Sequence, residues 1–203
     1  SKESIQEFED LVQERGLNPE EILGAFHGQE NKGNLPNYVY HTVFVDDIYQ
    51  AIEEGQISSQ YVFTIGSDYF KEIAKMRAFF IAFETINKTI PFILAETTLA
   101  NKTTEQPYNN LLRTTTESMS AIFGGCDALM IRPYNQSFEE VTDFSNRLAR
   151  NQHHILREES FLEKVQDPSA GSYFIEALTQ GFLKSERQEV KIDYVEQKLW
   201  HTA

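Results

Sequence analysis

The sequence lacks most of the patterns that name a function directly. Its 203 residues hold a single cysteine, Cys126. A disulfide framework is therefore excluded, and we expect a reducing, cytoplasmic location with Cys126 as a small buried residue. No apolar run approaches the ~20 residues of a membrane span, so none is expected. The phosphate-loop patterns GxGxxG and GxxxxGK[ST] and the nucleophile elbow GxSxG are also missing.

Positive charge is scarce as well. The chain has 18 Lys and Arg against 31 Asp and Glu, which gives a formal net charge of −13. General binding to phosphate-rich surfaces needs a positive field. We therefore expect neither nucleic acid nor anionic membrane as a partner. The acidic pairs, such as Glu53-Glu54 and Glu139-Glu140, are typical of helix surfaces and helix starts, where the dipole favours negative charge.

Histidine is sparse, with five in the chain. His153 and His154 lie within a helical pattern without a carboxylate or cysteine at metal-ligand spacing, which favours a solvated helix face over a metal site. His27 and His41 lie at or just after predicted strands, where barrel enzymes place chemistry. A structural role is still favoured for both.

Apolar segments that alternate with helical patterns are the main structural signal. The segments "ILGAF", "YVYHTVFV", "YVFTIG", "IPFILAE" and "DALMIRPY" each predict a strand. With the helical segments, the predicted order is α-β-β-α-β-α-β-α-β-α. Such alternation indicates a parallel sheet covered by helices. A closed (β/α)₈ barrel has about eight strands and ~250 residues. We therefore predict either an open α/β sheet or the later part of a barrel, with about five strands.

Two long helices carry the clearest periodicity. The first, in "SDYFKEIAKMRAFFIAFETIN", has a predicted buried face. The second, in "SFEEVTDFSNRLARNQHHILREES", is predicted to begin at a capping box formed by Ser137 and Glu140. The predicted buried residues are Ile73, Met76, Phe80 and Phe83 in the first helix, and Phe138, Val141, Phe144, Leu148 and Ile155 in the second.

Four segments in order resemble one family closely. They are "GSDYFKEIAKMRA", "TTEQPYNNLLRTTTESMSAIFGGCDAL", "DFSNRLARNQHHILREES" and "VQDPSAGSYFIEALT". Together they resemble the substrate-binding barrel of methylmalonyl-CoA mutases, over residues 60–180. The resemblance implies a (β/α)₈ barrel with acyl-CoA along its axis, followed by a separate cobalamin domain. It also implies a radical rearrangement between succinyl-CoA and methylmalonyl-CoA that uses adenosylcobalamin.

The departures from the family pattern concern the residues that carry out the chemistry. The family motif HxQTSG places its histidine at Leu94 and its glutamine at Glu96, and Phe80 replaces an arginine. The cobalamin-ligand pattern DxHxxG is absent. The resemblance therefore implies no catalytic residue and no bound cofactor in this chain. It leaves six candidates for substrate binding: Tyr108, Asn110, Arg113, Arg132, Tyr134 and Asn135.

This pattern resembles the non-catalytic small subunit of heterodimeric mutases. We expect residues 1–179 to form a partial barrel and residues 180–203 a helical tail, without a cobalamin-binding domain. The expected partner is the large catalytic subunit, which would hold adenosylcobalamin. Self-association through open sheet edges is also allowed.

Two alternatives remain open. The chain could be a catalytic or acyl-CoA-binding fragment of the mutase barrel itself. It could also be a free-standing acyl-CoA-binding module, which would need a basic patch for the CoA phosphates. The candidates for such a patch are Lys71, Lys75, Arg77 and Arg132.

Overall fold

The strands form one parallel sheet in which each strand pairs with the next along the chain. The computed structural model describes residues 24–26, 39–55 and 59–185. The predicted first helix and the residues from 186 onward, as well as His27, lie outside these ranges. All five predicted strands are confirmed: β1 (Gly24–Phe26), β2 (Val39–Phe44), β3 (Ser59–Ile65), β4 (Phe92–Thr97) and β5 (Ala128–Met130).

Helices connect successive strands from β2 onward, as parallel pairing requires. They are α1 (Ile48–Glu54), α2 (Tyr69–Asn87), α3 (Asn109–Gly124), α4 (Asp143–His154) and α5 (Tyr173–Ser185). A π-helical turn, Ile155–Glu159, extends α4, and a 3₁₀ turn, Leu162–Lys164, precedes α5. The predicted α/β class, with the helical and strand order of a partial barrel, is confirmed.

The core lies between the sheet and the helices. Alternate residues of β3, among them Tyr61 and Phe63, pack against α2. The ring of Tyr61 lies 4.9 Å from that of Phe79 and 5.1 Å from that of Phe83. The predicted buried face of α2 is correct for Ile73, Met76 and Phe83, but Phe79 rather than Phe80 is fully buried. Positions 79 and 80 both hold phenylalanine, so the sequence pattern cannot show which of the two side chains is buried.

The predicted start of the long helix at Ser137 is wrong. Helix α4 begins at Asp143, and its N-cap is Thr142. The Thr142 hydroxyl accepts from the Ser145 amide at 3.2 Å, and the Ser145 hydroxyl accepts from the Thr142 amide at 3.0 Å. The preceding residues instead form turns, in which the Asn135 carbonyl accepts from the Glu139 amide at 2.9 Å. Thr142 and Ser145 thus cap the helix, while local hydrogen bonds of Asn135 hold the preceding residues in turns.

The predicted buried face of this helix is wrong for Phe144 and Ile155, while Phe138, Val141 and Leu148 are half-buried. Phe144 and Ile155 are 46% and 47% exposed, whereas Ala149 and Leu156 are buried. The buried face is displaced by about one residue, and Ala149 and Leu156 lie in an apolar cluster with Met119 and Ile122 of α3. Gln152 Nε2 donates to the Leu111 carbonyl at 2.9 Å.

Helix α5 runs through residues 179 and 180, where the boundary between barrel and tail is predicted. The division of the chain at that point stays a prediction. Within residues 24–26, 39–55 and 59–185, no helix has both the length and the apolar composition needed to cross a membrane.

Candidate functional site at the carboxyl edge of the sheet

The candidate site lies where β3 and β4 end and the chain leaves β5. Side chains alternate along a strand, so Val62, Thr64, Leu94 and Glu96 lie on the face opposite Phe63 and Ala95, which pack against the helices. The sheet register aligns Val62 with Leu94, and Thr64 with Glu96. Parallel pairing therefore places these four side chains on one face of the sheet, with Thr64 and Glu96 next to its carboxyl edge.

Glu96 is held by two neighbours across this edge. Arg132 Nη2 donates to Glu96 Oε2 at 2.6 Å, and the Thr64 hydroxyl donates to Glu96 Oε1 at 3.3 Å. The Glu96 side chain is 11% exposed and that of Arg132 is 28% exposed. Both carboxylate oxygens thus have an internal partner. The position predicted to match the family's glutamine therefore holds an ion-paired carboxylate in place of an amide.

Leu94, which is predicted to occupy the position of the family's histidine, lies between Val62 on β3 and Ala128 on β5. It is 9% exposed. An aliphatic side chain cannot donate a hydrogen bond, whereas an oriented donor at a reacting carbonyl can be worth roughly 3–4 kcal/mol to a transition state. Leu94 can pack against a ligand but cannot polarise one.

Two tyrosines among the substrate-binding candidates lie together. The rings of Tyr108 and Tyr134 are 5.3 Å apart and inclined by 33°. Tyr108 is 60% exposed, whereas Tyr134 is 9% exposed. Burial, followed by a hydrogen bond with Tyr108, raises the pKa of Tyr134. Tyr108 thus offers an aromatic surface to solvent, and Tyr134 supports it from below.

Asn110 joins the loop before α3 to the segment after β5. Its Nδ2 donates to the carbonyls of Thr103 at 2.9 Å and Tyr134 at 3.1 Å. Its Oδ1 accepts from the Thr103 amide at 3.1 Å and from Arg113 Nη1 at 2.6 Å. All four hydrogen bonds of this fully buried amide are thus internal. The arrangement positions Tyr134 and orients Arg113; direct contact of Asn110 with a substrate stays a prediction.

Asn135 is likewise buried. Its Nδ2 donates to the Glu140 carbonyl at 3.2 Å, while its Oδ1 has no hydrogen-bond partner among the described residues. Five of the six candidates fall into two adjoining groups: Arg132 binds Glu96, and Tyr108, Asn110, Arg113 and Tyr134 form one contact network. Asn135 follows this network directly in the chain.

Sequence reasoning missed a buried ion pair behind the loop that follows β4. Lys102 Nζ lies 2.9 Å from Glu117 Oε1, and the two side chains are 0% and 1% exposed. Asn101 Nδ2 also donates to Glu117 Oε1, at 2.6 Å. Burial lowers the pKa of Lys102 and raises the pKa of Glu117, and their mutual attraction opposes both shifts. The available signal was that Glu117 shares a helical face with the buried residues Thr114 and Ala121.

A second ionic cluster connects α2 to the turn before α5. Arg77 Nη1 donates to Asp167 Oδ1, and Arg77 Nη2 donates to Glu176 Oε1 at 2.8 Å. Arg77 is 7% exposed. Three of the four cations considered for a CoA phosphate patch are therefore already paired within the chain, because Lys75 lies 2.6 Å from Glu72 and Arg132 binds Glu96.

Two of the histidines, His153 and His154, lie in the last turn of α4. Burial lowers the pKa of His153, and the charge of the neighbouring His154 lowers it further. The part of the chain that the structure describes holds no group of three or more His, Cys, Asp or Glu side chains that could bind a metal ion. His41 lies on β2, where it is aligned with Ser59.

A parallel sheet with β-α connections and polar side chains at its carboxyl edge defines an α/β protein of the barrel class. Comparison with known proteins identifies the family. The family model described as methylmalonyl-CoA mutase matches residues 51–198. The chain therefore belongs to the methylmalonyl-CoA mutase family, and the predicted resemblance is confirmed.

Individual relatives support the same assignment. The methylmalonyl-CoA mutase small subunit of Porphyromonas gingivalis is 45% identical over 127 residues, which are 58% of this chain and 21% of the relative. A methylmalonyl-CoA mutase of Cereibacter sphaeroides is 32% identical over 174 residues, 77% of this chain and 24% of the relative. The mutase of Escherichia coli K12 is 38% identical over 136 residues, 63% and 19% respectively. The chain thus spans about a fifth of the length of these relatives.

Proposed function

We propose that this chain is part of the non-catalytic small subunit of a heterodimeric methylmalonyl-CoA mutase. It would support a cytoplasmic, cobalamin-binding large subunit that interconverts succinyl-CoA and methylmalonyl-CoA. The carrying observation is the carboxyl edge of the sheet. Glu96 at this edge is bound by Arg132 and Thr64, and Leu94 is predicted to stand where the family has its histidine. The similarity to a protein named as a small subunit supports the same proposal.

The electrostatics of the edge argue against turnover. A substrate carbonyl needs a donor that is free to meet it. Arg132 is the cation nearest to the position of the family's glutamine, and its Nη2 is engaged 2.6 Å from Glu96 Oε2. Freeing it would leave an 11% exposed carboxylate with only the Thr64 hydroxyl. Breaking such a charge-assisted bond costs about 1.5–3 kcal/mol. The contacts of Glu96 therefore stabilise the fold at the position where the family would bind its substrate.

The residues present do not fit adenosylcobalamin. The sequence holds no DxHxxG pattern. His153 and His154 lie in the last turn of α4, away from Glu96 and Arg132 at the carboxyl edge of the sheet. In this proposal the cofactor belongs to the large subunit, and the small subunit contributes a folded scaffold rather than a chemical step.

A second candidate function is binding of acyl-CoA without turnover. The observation that favours it is Tyr108, whose exposed ring, backed by Tyr134, can stack on a planar group. The pairing of Lys75, Arg77 and Arg132 with internal carboxylates argues against a strong phosphate site.

The test is co-expression of the chain with its cognate large subunit. We expect the two to co-purify and the complex to isomerise methylmalonyl-CoA, while the chain alone with added adenosylcobalamin does not. The variant Leu94→His restores one donor but no cofactor site, so it should also be inactive alone. Turnover by the isolated chain would refute the non-catalytic role, and failure to co-purify would refute the partnership.

A further inference from the structure

Helix α4 carries a second apolar face that the fold leaves exposed. Phe144, Leu148 and Ile155 lie at positions i, i+4 and i+11, and so share one side of the helix. Helical hydrogen bonding continues to Ile155, whose amide donates to the Asn151 carbonyl. We refer to the three apolar residues as the α4 stripe. Phe144 and Ile155 are 46% and 47% exposed, and Leu148 is half-buried. The fold therefore leaves open an apolar face that the sequence pattern predicts to be buried.

The buried side of α4 lies about a quarter of a turn away. Ala149 and Leu156, each one position after a stripe residue, are buried in a cluster with Met119 and Ile122 of α3. Successive residues of an α-helix are rotated by about 100°, so the two apolar sides point in different directions. A surface helix is ordinarily apolar on one side and polar on the opposite side. Single exposed apolar residues need no explanation, whereas several in line form the kind of patch that marks an interaction surface.

The α4 stripe borders α3. Gln152, four residues after Leu148, donates to the Leu111 carbonyl at 2.9 Å, which brings the first turn of α3 beside this part of α4. The next residue of α3, Leu112, is 68% exposed. Two neighbouring helices thus present apolar side chains to solvent. Such a surface suits a helix laid along it, because the apolar anchors of an amphipathic helix recur at the same spacing as the stripe.

Charge restricts the partner. The chain has a net charge of −13, yet residues 144–157 include three arginines and no Asp or Glu. Arg147 lies over the Phe144 ring, 5.5 Å from its centroid. Among the described residues, neither Arg147 nor Arg150 forms an ion pair. The acidic residues nearest in sequence lie just outside this range, at its two ends. The stripe is therefore accompanied by unpaired positive charge, which is complementary to an acidic segment.

Two other occupants fit this surface less well. A second copy in a symmetric pair would place the same arginines opposite one another, which like charges disfavour. An anionic membrane is repelled by the net charge of −13 of the whole chain. We propose that the α4 stripe binds a helix of the large mutase subunit that presents apolar side chains along one side and carboxylates beside them. This contact rests on the proposed function, because it exists only if the two subunits associate.

The test measures binding of the purified cognate large subunit to variants of the full chain by isothermal titration calorimetry. Phe144→Ser/Ile155→Ser removes the exposed apolar groups of the stripe. Ile90→Ser/Phe174→Ser makes the same replacements at 72% and 59% exposed positions outside α4. We expect the first variant to bind about tenfold more weakly or worse, and the second to bind like the parent. Parental affinity of the stripe variant would overturn the proposal and leave the proposed function intact. No binding of the parent chain would refute the proposed function, and this contact with it.

Charge reversal gives a second readout. Arg147→Glu should weaken binding about fivefold at about 0.1 M ionic strength and by less at about 1 M, because salt screens exposed charges. Lys71→Glu, at an exposed position of α2, should change the affinity little. Equal affinities of these two variants would contradict an acidic partner segment. Circular dichroism confirms folding, and if the stripe variant does not fold, Arg147→Glu decides alone.

Sedimentation of the chain tests the other two occupants. The parent is measured alone and with vesicles of phosphatidylglycerol. We expect a monomer that does not bind the vesicles. A dimer, or vesicle binding, that Phe144→Ser/Ile155→Ser or Arg147→Glu abolishes would assign the stripe to a second copy or to a membrane, and would overturn the proposal.

Discussion

Replacing Lys102 by Met should destabilise the chain strongly. The substitution keeps a long side chain in a fully buried position but removes the ammonium group 2.9 Å from both oxygens of Glu117. Removing one member of a buried ion pair costs about 3–5 kcal/mol, since the other charge is left uncompensated. For a chain of this size each kcal/mol lowers the thermal midpoint by about 2–4 °C.

The loss should depend on pH in a defined direction. Burial raises the pKa of Glu117 above its ordinary 4.5, and the hydrogen bond and charge of Lys102 oppose that shift. Without Lys102 the pKa rises further. A group with a raised folded-state pKa contributes stability that is present at low pH and lost as the pH rises through that pKa. The deficit of Lys102→Met relative to the parent is therefore greatest at pH 8 and shrinks towards pH 4.5.

Urea unfolding at pH 8 and pH 5 measures both effects. Two controls accompany it. Arg157→Met removes an exposed ion pair, whose members are 66% and 68% exposed, and should change the free energy of unfolding little. The double variant Lys102→Met/Glu117→Gln removes both charges and keeps an acceptor for Asn101, so it should recover most of the loss at pH 8. A Lys102→Met deficit no larger than that of Arg157→Met, or a double variant as unstable as the single one, would refute the reasoning.

Three further predictions concern single positions. Thr142→Ala should cost about 1 kcal/mol of unfolding free energy in urea melts because it removes the N-cap of α4, whereas Ser137→Ala should have little effect; equal losses would contradict the observed helix start. Gly125→Ala should cost about 1–2 kcal/mol because φ is 89° there, while Gly181→Ala in α5 should stabilise the chain, so the two variants should shift the thermal midpoint in opposite directions. Burial raises the pKa of Cys126 to about 12, so iodoacetamide at pH 8 should alkylate it far more slowly in the folded chain than in urea, and equal rates would show an accessible thiol.

The strands, their order along the chain and the family could all be read from the sequence alone. Apolar segments of strand length separated by helical patterns leave few alternatives to a parallel sheet, because each parallel pair needs a crossover. Four linked motifs identified the mutase family, and the correspondence of Leu94 to the family's histidine stays a prediction from the same motifs. These features are local or colinear with the chain, so a linear pattern can carry them.

Which polar groups contact one another depends on the three-dimensional fold and could not be predicted from the sequence. Arg77 and Asp167 are 90 positions apart, and Glu96 and Arg132 are 36 apart. No periodicity connects such residues, since their pairing depends on which faces of the sheet and helices adjoin. Burial of Lys102 with Glu117 was likewise hidden, because charged residues in a loop and on a helix ordinarily face water.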